Sequence, residues 1–202
     1  MCYTLIRPYT CMATLDVLAI GYLIRDDDGN ILEAHSTSTL IKTGNRLIVV
    51  DTSSKYMRPA LKSSLKMIGV FAKDVDTVVI THNHDDHIGN IDLFPNAKVL
   101  IHSGEDEPLK GAEIIEGDAT IAKGVELRHT PGHSWDSMSV FVEGDDGRKY
   151  VIAGDAVPLQ DNILQNVPPR LHVCKDLAMK SIKTICDYAD VIVPGHGAPF
   201  KL

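Results

Sequence analysis

Residues 82–87 read His-Asn-His-Asp-Asp-His and follow directly on Val75-Asp76-Thr77-Val78-Val79-Ile80-Thr81. A continuous β-branched run of that kind fits a strand covered on both faces. Structural histidines do not cluster in this way, and the segment is too short to be a charged solvent face. The chain has to fold so that a rigid, buried strand ends at a polar centre.

Three later segments have the same grammar, a polar side chain at a strand end beside glycine: Pro131-Gly132-His133, Ala153-Gly154-Asp155 and Pro194-Gly195-His196. Glycine lets the backbone turn sharply and bring the next side chain into a crowded place. Neutral imidazole and carboxylate are ligands for zinc, with iron and manganese as second choices. His82 and His84, two apart on a short loop, can turn both rings to one metal, and Asp86 and His87 then point to a neighbouring position. His35, His102, His129 and His172 stand alone, as surface or hydrogen-bonded histidines do, and are not assigned.

The rest of the chain alternates strand and helix patterns. Strands are expected at 17–24 and 31–41, joined as a hairpin by Asp28-Gly29-Asn30, and at 46–53, 97–102, 125–130, 137–143, 149–155 and 191–197. Met57, Leu61, Leu65 and Ile68 have helical spacing, as do Cys174, Leu177, Ala178, Ile182, Ile185, Cys186 and Ala189 within 171–189. No linker or repeat interrupts the pattern, so residues 1–202 are expected to form a single domain.

Apolar content of 44% and charged content of 23% fit a globular protein, and a net charge of -7 disfavours, without excluding, a nucleic-acid substrate. A small-molecule substrate is the expected partner. The cysteines (Cys2, Cys11, Cys174, Cys186) form no CxxC pair, and Cys174 and Cys186 read as reduced core residues of an intracellular, cytoplasmic chain. The apolar stretch 11–24 is broken by Asp16 and closed by Asp26-Asp27-Asp28, which reads as a buried strand and not a membrane span.

Taken in order, these segments resemble the five motifs of the metallo-β-lactamase superfamily. Asp51 is similar to the first, His82-x-His84-x-Asp86-His87 to the second, His133 to the third, Asp155 to the fourth and His196 to the fifth. The resemblance implies an α/β fold, the four-layer αββα sandwich, with metals at one rim. It implies one metal site of His82, His84 and His133 and another of Asp86, His87 and His196, with Asp155 bridging. Asp51 would then hydrogen-bond a ligand or its loop.

The chemistry so implied is hydrolysis of an ester, thioester, lactone or phosphodiester bond by a hydroxide shared between two divalent ions, most simply zinc. Asp86 is the catalytic candidate, as a ligand that also orients the hydroxide. Asp155 at the fourth motif argues against a β-lactamase, and His84 against the diiron flavoproteins. The chain ends six residues beyond His196, which leaves no room for the C-terminal domain of glyoxalase II enzymes. The sequence around HIGNIDLFPNAKV (87–99) and the ending VIVPGHGAPF (191–200) are similar to the small branch that includes a histone pre-mRNA-processing nuclease. A mononuclear-iron persulfide dioxygenase, a small ribonuclease of the fold and a non-catalytic metal protein remain as alternatives. For substrate contacts, Trp135 is either a platform or packing beside His133, and residues 157–170, with three prolines, are either a lip over the site or a plain connection.

Overall fold

A computed structural model describes residues 13–103 and 109–202. Cys2 and Cys11, and the start of the apolar stretch 11–24, lie outside the described residues. In chain order come β1 (Thr14–Ala19), β2 (Tyr22–Arg25), β3 (Ile31–His35), β4 (Ser38–Thr43), β5 (Arg46–Val50), α1 (Arg58–Met67), β6 (Thr77–Val79), α2 (Asp85–Ile88) and β7 (Lys98–His102). Then follow β8 (Glu113–Ile115), β9 (Ala119–Ala122), β10 (Val125–His129), β11 (Met138–Glu143), β12 (Lys149–Gly154), α3 (Gln160–Leu164), α4 (Lys175–Tyr188), β13 (Val191–Pro194) and β14 (Phe200–Lys201).

Two six-stranded sheets, ordered β1-β4-β5-β6-β7-β8 and β14-β13-β12-β11-β10-β9, carry the architecture, with β2 and β3 as a separate ribbon. The period of two along each strand decides which residues meet. Ile48 and Val50 of β5 and Val79 of β6 join Val125, Leu127, Val140 and Ile152 in an apolar layer between the sheets. Val49 and Val78, on the opposite face, pack against Leu61 and Leu65 of α1. Phe141, Val151 and Ile192 do the same on the second sheet, against Ile182 and Ile185 of α4. Three apolar layers between four structural ones make the αββα sandwich. β6 is central, with parallel partners β5 and β7, which is why both of its faces are apolar. No helix among the described residues is long and apolar enough to cross a membrane.

The hairpin expected over 17–41 is present, but each arm is broken. β2 pairs with β3 in the ribbon, whereas β1 pairs with β4 in the first sheet. The arms pinch together at the breaks: a Cβ on Gly21 would lie 2.2 Å from the His35 carbonyl oxygen, so only glycine fits there. Cys174 and Cys186 are only half-buried, and Cys174 stands at the N-cap of α4. Both are free, and Cys186 packs at the edge of the core under α4, whose buried positions are Ala178, Ser181, Ile182 and Ile185.

Asp76 fastens β5 to β6. Its carboxylate accepts from Arg46 Nε (2.6 Å), Leu47 N (2.7 Å) and Thr77 Oγ1 (2.8 Å). Partial burial pushes this carboxyl up, but the hydrogen bonds from Leu47, Thr77 and Arg46 outweigh it and hold it below the usual carboxylate range. A depressed folded-state value contributes stability above about pH 4, and that contribution is lost as pH falls through the folded-state value. Asp76→Asn is expected to cost about 1 kcal/mol at neutral pH, the low end for charge-assisted bonds because solvent reaches the group. Urea unfolding should show the gap to wild type closing in acid. A gap that stays constant down to pH ~2 would exclude the charge as its origin.

Candidate metal centre

All seven candidate ligands lie in or just after loops that leave β6, β10, β12 and β13 at one rim of the sandwich. His82 and His84 follow β6, and Asp86 and His87 belong to α2. His133 follows β10, Asp155 follows β12 and His196 follows β13. The room for them is made by glycine. A Cβ on Gly195 would sit 2.1 Å from Asp155 Oδ1, and one on Gly132 (φ 135°) would meet the backbone nitrogen of Ala178 at 2.2 Å.

The side chains converge in three overlapping groups: His82, His84 and His133; His82, His87 and Asp155; and Asp86, His87 and His196. His82 Nε2 and His133 Nε2 lie 2.8 and 3.2 Å from His84 Nδ1. On the other side, His196 Nε2 lies 3.5 Å and His87 Nε2 3.8 Å from Asp86 Oδ2. Asp155 stands between them. Its Oδ2 is 3.6 Å from His133 Nε2, and its Oδ1 is 3.5 Å from His87 Nε2 and 3.3 Å from His196 Nε2. Ligand atoms of His82, His84 and His133 all fall within 4.8 Å of one another, and so do those of Asp86, His87 and His196.

Backbone and carboxylate acceptors fix the rings. His133 Nδ1 is 2.8 Å from the Leu171 carbonyl, His196 Nδ1 is 2.9 Å from the His35 carbonyl, and His87 Nδ1 is 2.8 Å from Asp51 Oδ2. An Nδ1–H donated to each oxygen leaves all three Nε2 atoms turned inward as acceptors. Asp51 also accepts from the Thr81 amide and hydroxyl, both at 2.8 Å. It reaches them from a left-handed backbone (φ 54°), a conformation non-glycine residues seldom adopt.

Protonation follows from the same geometry. Burial, then the charge of His87, holds His82 well below the ordinary histidine value, and burial with His133 lowers His84. For His87 burial also opposes the charge, but the carboxylates of Asp51 and Asp155 prevail and raise it well above that value. His196 is raised against burial by Asp155. Burial likewise opposes the charge on Asp155, yet His196 and His87 hold it well below the carboxylate range.

One set of partners carries no sequence signal. Between β3 and β4 the chain leaves both sheets, and its backbone turns to the centre. The His35 carbonyl takes His196, the Ser36 amide donates to the Asp86 carbonyl (3.1 Å), and the Thr37 amide donates to the Gly195 carbonyl (2.7 Å). Thr37 Oγ1 adds a bond to the Gly197 carbonyl at 2.9 Å. The His35 ring itself is buried, 2.5 Å from Ser54 Oγ and stacked on Tyr56. His102 and His129 stack on each other, and His172 bonds the Pro169 carbonyl.

A cavity of about 430 Å³ opens over the centre, with His84, Asp86, His133, Asp155 and His196 on its wall. The ribbon forms one side, and residues between Pro158 and Leu171, with Asp161 and Asn162 of α3 among them, form the other. The segment 157–170 is thus a wall of the cavity and not a plain connection. Trp135 is not on that wall. The residue is 60% exposed, in the short loop closed by Ser134 Oγ and Ser137 Oγ (2.6 Å).

A sequence model of the metallo-beta-lactamase superfamily matches residues 33–108. The chain is 37% identical over 182 residues to a probable metallo-hydrolase of Methanocaldococcus jannaschii, covering 90% of this chain and 86% of that one. It belongs to the metallo-beta-lactamase superfamily. Within the superfamily it is 30% identical over 135 residues to an N-acyl homoserine lactonase of Bacillus thuringiensis, 60% of this chain and 54% of the lactonase. A crystal structure from Thermotoga maritima, assigned as a metallo-beta-lactamase, superposes with a TM-score of 0.78 at 20% identity, covering 95% of this chain and all (100%) of that one. That likeness speaks to the fold, while the sequence relatives, a probable metallo-hydrolase and a lactonase, support an enzyme.

Proposed function

We propose that this chain is a dinuclear metal-dependent hydrolase acting on an ester, thioester, lactone or phosphodiester bond of a small molecule. The observation that carries the reading is the divided carboxylate of Asp155, one oxygen toward each group of histidines. The donor set fits cations: His87 Nε2 and Asp155 Oδ1 are buried with no hydrogen-bond partner, a costly state that a bound ion relieves. His82, His84 and His133 would hold one ion, Asp86, His87 and His196 the other, with Asp155 shared. Two such ions, zinc on this nitrogen-rich set, would acidify a water and polarise the bond to be cleaved.

The chain's own residues supply the rest. Asp86 is partly open to the cavity, so its carboxylate can orient the attacking water and receive its proton. Asp51 and the His35 carbonyl hold His87 and His196 in the tautomer that presents Nε2. The walls of the cavity exclude bulk water and hold a substrate against the centre. The lactonase among the relatives favours an acyl bond over a phosphodiester, and so does the net charge of -7.

A chelator is expected to abolish hydrolysis, and zinc or manganese to restore it. Because the metal-free protein holds protons on His87 and His196 above the ordinary histidine value, zinc must displace them. Titration calorimetry in buffers of different ionisation enthalpy should therefore show proton release at neutral pH, and affinity already falling as the pH drops through neutrality, above the range where unshifted histidines would begin to compete. Full hydrolysis by metal-free protein would remove the mechanism. Zinc binding without proton release would place the ions elsewhere.

A further inference from the structure

We propose that the cavity selects substrates carrying an anionic group, a carboxylate or a phosphate, and that Arg25 and Arg170 receive it. The inference rests on the hydrolase reading and narrows it to a substrate class. Its basis is how the arginines are partnered. Among the described residues, Arg46, Arg58, Arg128 and Arg148 each have a carboxylate oxygen within 3.2 Å. Arg25 and Arg170 form no ion pair with any described residue, and both stand on the wall of the cavity above the candidate metal centre.

Their placement is specific. Arg25 leaves the end of β2 and donates to the Gly29 carbonyl at 3.0 Å. Arg170 comes from the opposite wall and donates to the Asp28 carbonyl at 3.1 Å. Its guanidinium lies where a side chain on Gly29 would be, since a Cβ there would fall 1.8 Å from Arg170 Nη1. Bonds to carbonyls orient a guanidinium without neutralising it, and each fork keeps donors for a second acceptor. The acidic tip does not supply one. Asp26 is engaged by the Asn30 amide and side chain at 2.7 and 2.9 Å, and Asp28 meets Arg170 through its carbonyl.

The wall that carries Arg170 is held in shape. Asn162 Nδ2 bonds the Pro168 carbonyl at 3.0 Å and its Oδ1 accepts from the Leu159 amide at 3.1 Å, and Pro168 and Pro169 precede Arg170 directly. A guanidinium on a stiff wall gives up little conformational freedom on binding. Apolar side chains of Leu23, Ile31, Val167 and Leu171 share the cavity. The ligand that fits is an apolar acyl body with a charged end, its scissile bond at the centre and its anion at the two arginines.

The test compares mono-para-nitrophenyl glutarate with para-nitrophenyl pentanoate, esters of equal chain length, and with the analogue whose terminal carboxylate is a phosphonate. The zinc-loaded enzyme is expected to favour a charged ester at least about tenfold in kcat/KM, the size of one charge-assisted bond, and whichever anion is preferred names the group. Arg25→Gln with Arg170→Gln should erase that preference through KM while leaving the neutral ester unchanged, and Arg170→Lys should keep part of it. Equal loss on neutral and charged esters would overturn the proposal and leave the arginines as ties between ribbon and wall. If no ester is hydrolysed, which would count against the hydrolase reading, glutarate and propylphosphonate binding to the metal-free protein still decides. Calorimetric affinity that drops about tenfold in the double variant supports the anion site, and unchanged affinity overturns it.

Discussion

Asp155→Ala is expected to lower hydrolysis by at least about a hundredfold and to reduce bound zinc below two ions per chain, because loss even of a residue that only supports a ligand costs 10- to 100-fold. The substitution does more than remove one donor. His87 Nε2 and His196 Nε2 lie 3.5 and 3.3 Å from the same oxygen, so without it His196 loses the carboxylate that raises it, His87 loses one of two, and neither ring keeps its anionic partner at the shared position. Both ion positions should weaken together, and added zinc should rescue only part of the rate. His102→Ala, which removes a ring bonded to the Ser103 carbonyl and the Gly117 amide, serves as the comparison and should keep nearly full activity. Similar losses in the two variants, with metal content unchanged in both, would mean that the centre is misplaced.

The second large effect is expected at Asp51. Asparagine keeps the size of the side chain and tolerates the left-handed backbone found there, so Asp51→Asn isolates the charge from the conformation. In the metal-free protein it removes from the buried His87 the carboxylate at Nδ1 and leaves Asp155 and Asp86, 3.5 and 3.8 Å away, at Nε2. Removing one partner of a buried pair costs about 3 kcal/mol or more, and urea unfolding of metal-free protein should show it. In zinc-loaded protein the asparagine can no longer enforce the Nδ1–H tautomer of His87, and hydrolysis should fall about 10- to 100-fold. An unchanged urea midpoint would show that the pair is not ionised and that Asp51 acts through its backbone and Thr81 alone.

Much of the fold could be read from the sequence because its strongest signals are local. The run 75–81 becomes β6, the helical spacing of Leu61 and Leu65 becomes α1, and the pattern around Ile182 and Ile185 becomes α4. The breaks in the hairpin could not be read, because their cause lies far along the chain. The His35 carbonyl is taken by His196, 161 residues away, and Thr37 Oγ1 by Gly197, 160 away. No local pattern encodes an acceptor that distant. β8 and β14 escaped for another reason: they are short edge strands, and most of their residues stay exposed, so alternation hardly shows. α2 is hidden inside the histidine cluster, whose composition follows its chemistry and not helix propensity. Arg25 and Arg170 belong to no motif, and only the fold sets them on facing walls.

The loops around the centre come from both sheets: His82 to His87 follow β6 of the first, and His133, Asp155 and His196 follow strands of the second. Between the sheets lies an apolar layer, which gives cohesion but no fixed alignment, since apolar contact is non-directional. On the proposed ligand assignment the coordinated ions act as a rivet through the two layers, setting their shear to within a fraction of an ångström. Catalytic geometry and sheet alignment then become one constraint. Repacking at Val79 or Val140, between the sheets, would register at the rim as altered coordination, whereas repacking at Leu65 or Ile185, under the outer helices, would not. The inner layer should therefore be the part of this protein least free to drift in sequence.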